Sequence, residues 1–461
     1  MMKRINVLLA ILFLVFVSAY PQDIPGADEA ELKISGNLTT DERILLKNEN
    51  DWAWNENRLT VNFDRKISGY SKFHSEVWLR NIGLPDITRS ADLYNKGIVD
   101  PYNLEIREAY LQLSGFLTKN LDVTIGRQRI VWGTADKLNP SDVLNPYDME
   151  DLLDFGRHRG SDAINLVYFF NNILSIQAVY MPFFQPANTP VGIFSDALVP
   201  EMNLPAGMTL KGLTDTILMP KYNIKESSTT GIKIKGYLAG FDLSLGYVRG
   251  FDGIPFNTKN KFIPVDTLGG IKINSQASFI REHIICADFA TSIAGIGFWG
   301  EAAVFIPDDD VVMTTDMSAF YPQSPVPVTA DSIIADRPFA RYIIGADYNF
   351  FEGSYINIQY LHGFIHERGK ENLNDYFFFR YEKKFFNEKL KLAPVSGAII
   401  ISDWKNVGES YTLAYLPQAT YQATPDVEIT LSAALFNGKG DNLFSRMNDY
   451  DMLMFNLKYS F

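Results

Sequence analysis

The chain has 461 residues, 42 basic against 54 acidic side chains, and a formal net charge of -12. That balance argues against nucleic acid as a partner, and the single cysteine, Cys286, excludes a disulfide framework. Hydrophobic residues make up 46% and aromatic residues 13%, yet mean hydropathy is only -0.06, so apolar side chains must alternate with polar ones along much of the sequence.

The first element is a leader. Lys3 and Arg4 precede an unbroken apolar run from Val7 to Val17, and Val17-Ser18-Ala19 has the small-residue pattern of a cleavage site. Residues 1–19 are expected to be a signal peptide and residues 20–461 a single barrel domain. No later run approaches the ~18 consecutive apolar residues of a membrane helix.

From Leu32 onward the chain reads as alternating strands. Leu59, Val61 and Phe63 oppose Thr60, Asn62 and Asp64; Leu243, Leu245 and Tyr247 oppose Asp242, Ser244 and Gly246. One side of each suits lipid and the other a wet lumen. The expected strands include Asn57–Ile67, Leu121–Trp132, Ser278–Thr291, Ser410–Gln422 and Tyr450–Phe461. They number about eighteen, an even count as single-chain bacterial barrels have, with sixteen as the alternative. Short links with turn chemistry, such as Asn171-Asn172 and Ala239-Gly240, alternate with long ones, such as Gly133–Asp162 and Phe183–Ser228. The fold expected is all-β: a transmembrane, antiparallel, up-and-down β-barrel with tight turns at one end and long loops at the other. The stretch Gly269–Arg281 is the least certain, because Ile271 and Ile273 could extend a strand.

Strand three carries Lys72, His74, Glu76 and Arg80 opposite Phe73, Val77 and Leu79, with Trp78 among them. These read as lumen residues. Strand five then runs into the third outer loop. Asn139-Pro140 and Asn145-Pro146 each place a helix-capping residue before a proline, and Asp148, Glu150 and Asp151 follow where a helix dipole favours acids. One or two short helices are expected here, in a loop folded into the barrel. Arg127, Arg129, Arg157 and Arg159 flank a segment bearing Asp142, Asp148, Glu150, Asp151 and Asp154. Opposite charges across a narrow passage select solutes by charge and dipole. The same charges would serve equally well as salt bridges tying the loop to the wall.

Arg127 and Arg129 share parity with Leu121, Val123 and Ile125, which read as lipid-facing. An arginine facing lipid at mid-membrane costs ~2–4 kcal/mol. A β-bulge at Gly126 that flips the face is the expected resolution; the alternative places both arginines above the bilayer.

Arg107-Glu108-Ala109-Tyr110-Leu111, Gly126-Arg127-Gln128 with Trp132-Gly133, and Asn145-Pro146-Tyr147-Asp148 together resemble a porin-like family of proteobacterial outer-membrane proteins with the pattern R-x-A-Y, G-R-Q-x-x-x-W-G, N-P-x-D. Alginate-export porins are similar more distantly. The resemblance spans Arg107 to about Arg159. It implies a channel for small molecules and names no substrate.

The last strand places Leu453, Phe455, Leu457, Tyr459 and Phe461 on one face and Met454, Asn456, Lys458 and Ser460 on the other. Phe455, Leu457, Tyr459 and Phe461 resemble the C-terminal signal read by the barrel-assembly machinery of Gram-negative bacteria. The expected setting is therefore the cell outer membrane, with its lipid and lipopolysaccharide as surroundings and a small solute as cargo.

An enzyme would need a nucleophile or paired-acid site. None of the five histidines, His74, His158, His283, His362 and His366, sits beside a G-x-S-x-G motif. His362 and His366 would share a strand face, with no third metal ligand in sight. No catalytic residue, metal or cofactor is expected. A structural or adhesive barrel is the alternative to a channel, acting through loops that expose Ile193, Phe194, Val312 and Phe320.

Overall fold

The structure is a computed structural model describing residues 32–47, 51–85, 87–195, 204, 207–335 and 338–461. The expected signal peptide lies outside the described residues. Nineteen strands form one continuous sheet, every neighbouring pair antiparallel. Leu32–Leu45 pairs on one side with Trp52–Ser68 and on the other with Met452–Ser460, which closes the ring. Closure removes sheet edges, so every backbone group of the wall can pair inside the membrane.

Two of the nineteen, Tyr411–Tyr415 and Gln418–Thr424, lie end to end between Leu390–Ile401 and Val427–Gly438. They make one stave broken at Leu416-Pro417, because Pro417 has no N–H to give the ladder. The barrel therefore has eighteen staves, each overlapping one of the strands expected from alternation. Turns at one end are tight. Ala239-Gly240 and Ala294-Gly295 both have two successive positive φ angles, the conformation that matches the twist of a two-residue hairpin.

The outward face is apolar. Leu38, Ile125, Leu245, Ile285, Ile358 and Leu431 are all exposed on it, as are Leu453, Phe455, Tyr459 and Phe461. An uninterrupted apolar belt around a closed sheet is the surface of a barrel that spans a membrane. A ring of eighteen strands is too wide for wall side chains alone to fill. Here the third loop fills much of it. Leu138 and Leu152 pack with Phe194, Phe364, Tyr376 and Phe444 in one core cluster, and Ile130, Trp132 and Leu144 pack with Val179, Val248 and Phe305 in another.

The long loops also build a second, five-stranded sheet from Thr209–Leu218, Phe256–Pro264, Gly270–Ser278, Val311–Asp316 and Thr329–Ala335. Two of its pairings are parallel. Gly270–Ser278 is the uncertain stretch of the sequence; it is a strand, but of this sheet and not of the wall. Ile271 and Ile273 are fully buried in it. Phe194, expected to be exposed, is instead fully buried against Trp54 at 5.9 Å between ring centroids, with Ile193 packed on the same cluster. That part of the fourth loop is tucked into the barrel because the lumen offers Phe194 the larger apolar contact.

Candidate functional site: the third loop across the lumen

Residues 129–160 connect Leu121–Gln128 to Ser161–Phe169 and cross the lumen. On one side they meet staves one, three and four. Asp151 takes a bidentate pair from Arg43 at 2.5 and 2.8 Å; Glu150 accepts from Arg80 at 2.5 Å; Asp148 meets Arg107 at 2.8 Å. On the far side, at staves ten and eleven, the Thr134 amide donates to Glu301 at 2.9 Å and its hydroxyl donates to the Phe289 carbonyl at 3.2 Å. The loop is a strut between opposite walls.

Its near end is hooked by Trp132, which is fully buried and donates Nε1–H to Gln177 at 3.0 Å. The ring fits because Gly231 and Gly246 stand opposite it. A Cβ at Gly246 would lie 2.8 Å from the indole. The expected helices do not form. The loop consists of turns, with isolated bridges Tyr147–His158 and Asp148–Asn188. The reason is visible at Asn145. Its amide does not cap a helix but bonds the Ile130 amide at 2.7 Å and the Gln128 carbonyl at 3.1 Å, pinning the loop back to its own strand. Asp151 and Asp148 are likewise spent on arginines and not on a helix dipole.

The charges form one network. Arg157 reaches Asp148 at 3.1 Å, Glu150 at 3.5 Å and Asp154 at 3.5 Å. Arg129 binds Asp142 and lies 3.0 Å from His158 Nδ1; Arg159 donates to the Pro186 carbonyl at 2.5 Å. Trp78 sits among these cations, with the Arg107 and Arg58 guanidiniums 4.0 and 4.3 Å from its ring centroid. The side chains of Asp148, Asp151 and Asp142 are at most 4% exposed, whereas Asp154 is 46% exposed. Burial pushes the Asp148 and Asp151 carboxyls up, but Arg157 and Arg107 on the first and Arg43 on the second outweigh it and hold both below the ordinary value. Burial lowers His158, keeping it neutral. A network so dry and so fully paired fastens the loop before it filters anything.

Arg127 stands apart. It keeps the parity of Leu121, Val123 and Ile125 and pairs with Asp162 at 3.4 Å. The expected bulge at Gly126 is absent: Leu121–Gln128 keeps unbroken register with both neighbours. Gly126 is required instead by close approach, since a Cβ there would lie 2.4 Å from the Ala109 carbonyl oxygen. The register shift falls in the adjacent strand Tyr102–Leu113, where Arg107 is the unpaired residue. Both Arg107 and Glu108 consequently point inward, Arg107 to the His158 carbonyl and Glu108 to the Arg129 amide. Arg129 lies past the end of its strand and turns in freely.

Of the other lumen candidates, Lys72 and His74 share Asp64 at 2.9 and 3.0 Å, and Glu76 accepts from Trp78 at 2.6 Å; Arg80 belongs to the network. His362 and His366 do not share a strand face. His362 ends its strand bonded to Asp375 at 2.7 Å, whereas His366 is in the following loop, where burial drives it down to about 3. Among the described residues there is no cluster of metal-binding side chains. Arg43, Glu301 and Gln177 were not singled out from sequence. Each is an isolated inward polar residue, and only its partner across the lumen gives it meaning.

Beside the strut lies a chamber of about 480 Å³ against the last third of the wall. Its apolar lining includes Phe155, Phe378, Phe444 and Met454. Its polar lining includes Asp136, Lys137 and a ladder in which Gln359 donates to Asn357 at 2.9 Å and Asn357 to the Tyr355 hydroxyl at 3.1 Å. Arg380 in the same lining is paired with Glu382 at 3.0 Å.

No known protein family matches the sequence. No curated protein matches it. Solved outer-membrane proteins match the shape over nearly their whole length. OccK11 (OpdR) of Pseudomonas aeruginosa aligns over 95% of this chain and 99% of its own at 9% identity, with a TM-score of 0.48. OccD3 (OpdP) of the same organism covers 95% and 96% at 11% identity and a TM-score of 0.45. Salmonella typhi OmpF, solved with daunomycin, covers 94% and 98% at 10% identity and a TM-score of 0.40.

Proposed function

We propose that this chain is an outer-membrane channel of a Gram-negative cell that passes small, net-neutral amphipathic solutes, with the third loop as its constriction. The observation that carries this reading is the pairing of a lumen-crossing strut with a neutral chamber beside it. A barrel that served only as a wall or an adhesin has no use for an aromatic and amide-lined chamber inside the membrane. Flat apolar groups suit Phe155, Phe378 and Phe444, and a polar edge suits the Tyr355–Asn357–Gln359 ladder. Arg129, Asp142, Asp148, Glu150, Asp151, Asp154, Arg157 and Arg159 hold the constriction in place. In this reading the leader delivers the chain across the inner membrane, Phe455, Leu457, Tyr459 and Phe461 present it to the assembly machinery, and lipid and lipopolysaccharide surround the apolar belt.

The test is single-channel conductance of the refolded protein in a planar bilayer, with residues 134–162 intact and shortened to a tight turn. Steps that grow when the loop is removed support a constricted channel. Silence from both proteins, each shown to be folded, overturns it. That second outcome would favour an adhesive role through the external sheet, whose strand Thr209–Leu218 exposes Leu210, Leu213 and Ile217.

A further inference from the structure

Above the apolar cluster around Trp132, a second and smaller cavity opens between the third loop and the wall. It offers about 40 Å³ to the centre of a water molecule, room for roughly three waters. Two of its lining residues, an acid and a base, form no ion pair. Glu282, 3% exposed, has neither a cation within 4 Å nor a hydrogen-bond donor to its carboxylate among the described residues. Arg341, 5% exposed, has no carboxylate within reach, and its Nε–H has no acceptor. Its guanidinium is held edgewise by the Phe364 and Ile365 carbonyls at 3.4 and 2.8 Å and lies 3.8 Å from the Phe305 ring centroid. The neighbouring acid cannot serve it, because Asp252 is taken by Arg368 at 2.5 Å. The buried arginines Arg43, Arg80 and Arg107 each reach a carboxylate. Here the protein sets an arginine and a glutamate around one cavity with neither in an ion pair, which is costly unless something else completes them.

We propose that this cavity binds the head of a small zwitterion, its carboxylate on Arg341 and its ammonium on Glu282. A zwitterion satisfies both groups without importing net charge into a buried site. Phe184 and Phe251, also in the lining, give an apolar tail somewhere to lie. The proposal deepens the channel reading by naming the head group of its solute, but the site stands or falls by binding alone.

The probe is L-leucine, titrated calorimetrically into the full chain refolded in detergent, against isovalerate and isoamylamine, which keep one charge each. Saturable leucine binding at least about tenfold tighter than either analogue is expected, the loss of one charge-assisted contact being worth about that much. Glu282→Gln should bring leucine down to the level of isovalerate, and Arg341→Gln to that of isoamylamine. Each variant is first shown to migrate as a folded, heat-modifiable barrel. If leucine binds no tighter than the analogues, or binds Glu282→Gln as well as the parent, waters alone complete the pair and the proposal fails. Leucine uptake into liposomes separates the two readings: binding without uptake removes the channel and keeps the site, and uptake without binding does the reverse.

Discussion

Asp148→Asn is the sharpest perturbation of the strut. Asp148 has a fully buried side chain and faces two guanidiniums, Arg107 at 2.8 Å and Arg157 at 3.1 Å. Asparagine keeps the shape and removes the charge. Breaking a buried pair by deleting one partner costs about 3–5 kcal/mol, because the other charge stays buried. The lower end applies here. Arg107 keeps Glu105 at 3.1 Å and the His158 carbonyl at 2.9 Å, and Arg157 keeps Glu150 and Asp154, both at 3.5 Å. About 3 kcal/mol is roughly a hundredfold change in the open population of the loop. Hydrogen exchange reads that population directly. The Asp148 amide donates to the Arg157 carbonyl within the loop and the Met149 amide to the Asn188 carbonyl of the next loop, so their protection should fall by about two orders of magnitude. Protection in the wall should not change, and the barrel should remain heat-modifiable. Unchanged exchange at both amides would refute the reasoning: the loop would then be held by Trp132, Leu144 and Phe155, with the charges incidental.

Acid should loosen the strut in two stages. His158 and His366 are held neutral below their ordinary value, so the packing weakens once pH falls below about 6.5; Asp148 and Asp151 have lowered values, so their contribution is complete above about 3.9 and fades as pH drops further. Conductance recorded from pH 7 to 3 should rise gently and then steeply, and a flat profile would contradict the assignment. Trp132→Ala empties the slot between Gly231 and Gly246 and should cost about 3–5 kcal/mol of loop docking, seen as earlier proteolysis within residues 133–160 while the wall stays resistant. Phe461→Ala should leave refolding in detergent unchanged, because closure there uses the Phe461 backbone, bonded to Gly36 at 2.9 and 3.0 Å; assembly in cells should fall sharply if the side chain is a recognition signal.

The wall was legible because its signal is local. Alternation between lipid and lumen repeats every two residues, and each stave carries it alone. Two departures of the wall from that period each trace to a single residue: Pro417 breaks a stave, and Arg107 adds a residue to another. The face of Arg127 and Arg129 posed the right question but had its answer one strand away, since a register shift belongs to a pair of strands and not to one sequence. The lumen was legible in inventory only. The acids of the third loop were evident, but Arg43 and Glu301, which sit on opposite walls, are ordinary inward residues until the ring is closed. Asn145 looked like a helix cap because the competing donor, the Ile130 amide, is supplied by the loop's own return path. Ile271 and Ile273 showed a strand pattern without showing that one of its two partner strands would come from a different loop.

A hoop braced along one diameter is stiff in that direction and compliant across it. The loop ties staves one, three and four to staves ten and eleven, so lateral pressure from the bilayer meets most resistance along that line. The last third of the wall meets the loop through apolar packing at Leu138 and Leu152, and it carries small side chains at Ser396, Gly397, Ala398, Ala414, Ser432 and Ala433. That arc is also the wall of the chamber. Membrane tension and thickness should therefore act on the volume of the chamber more than on the fastening of the loop.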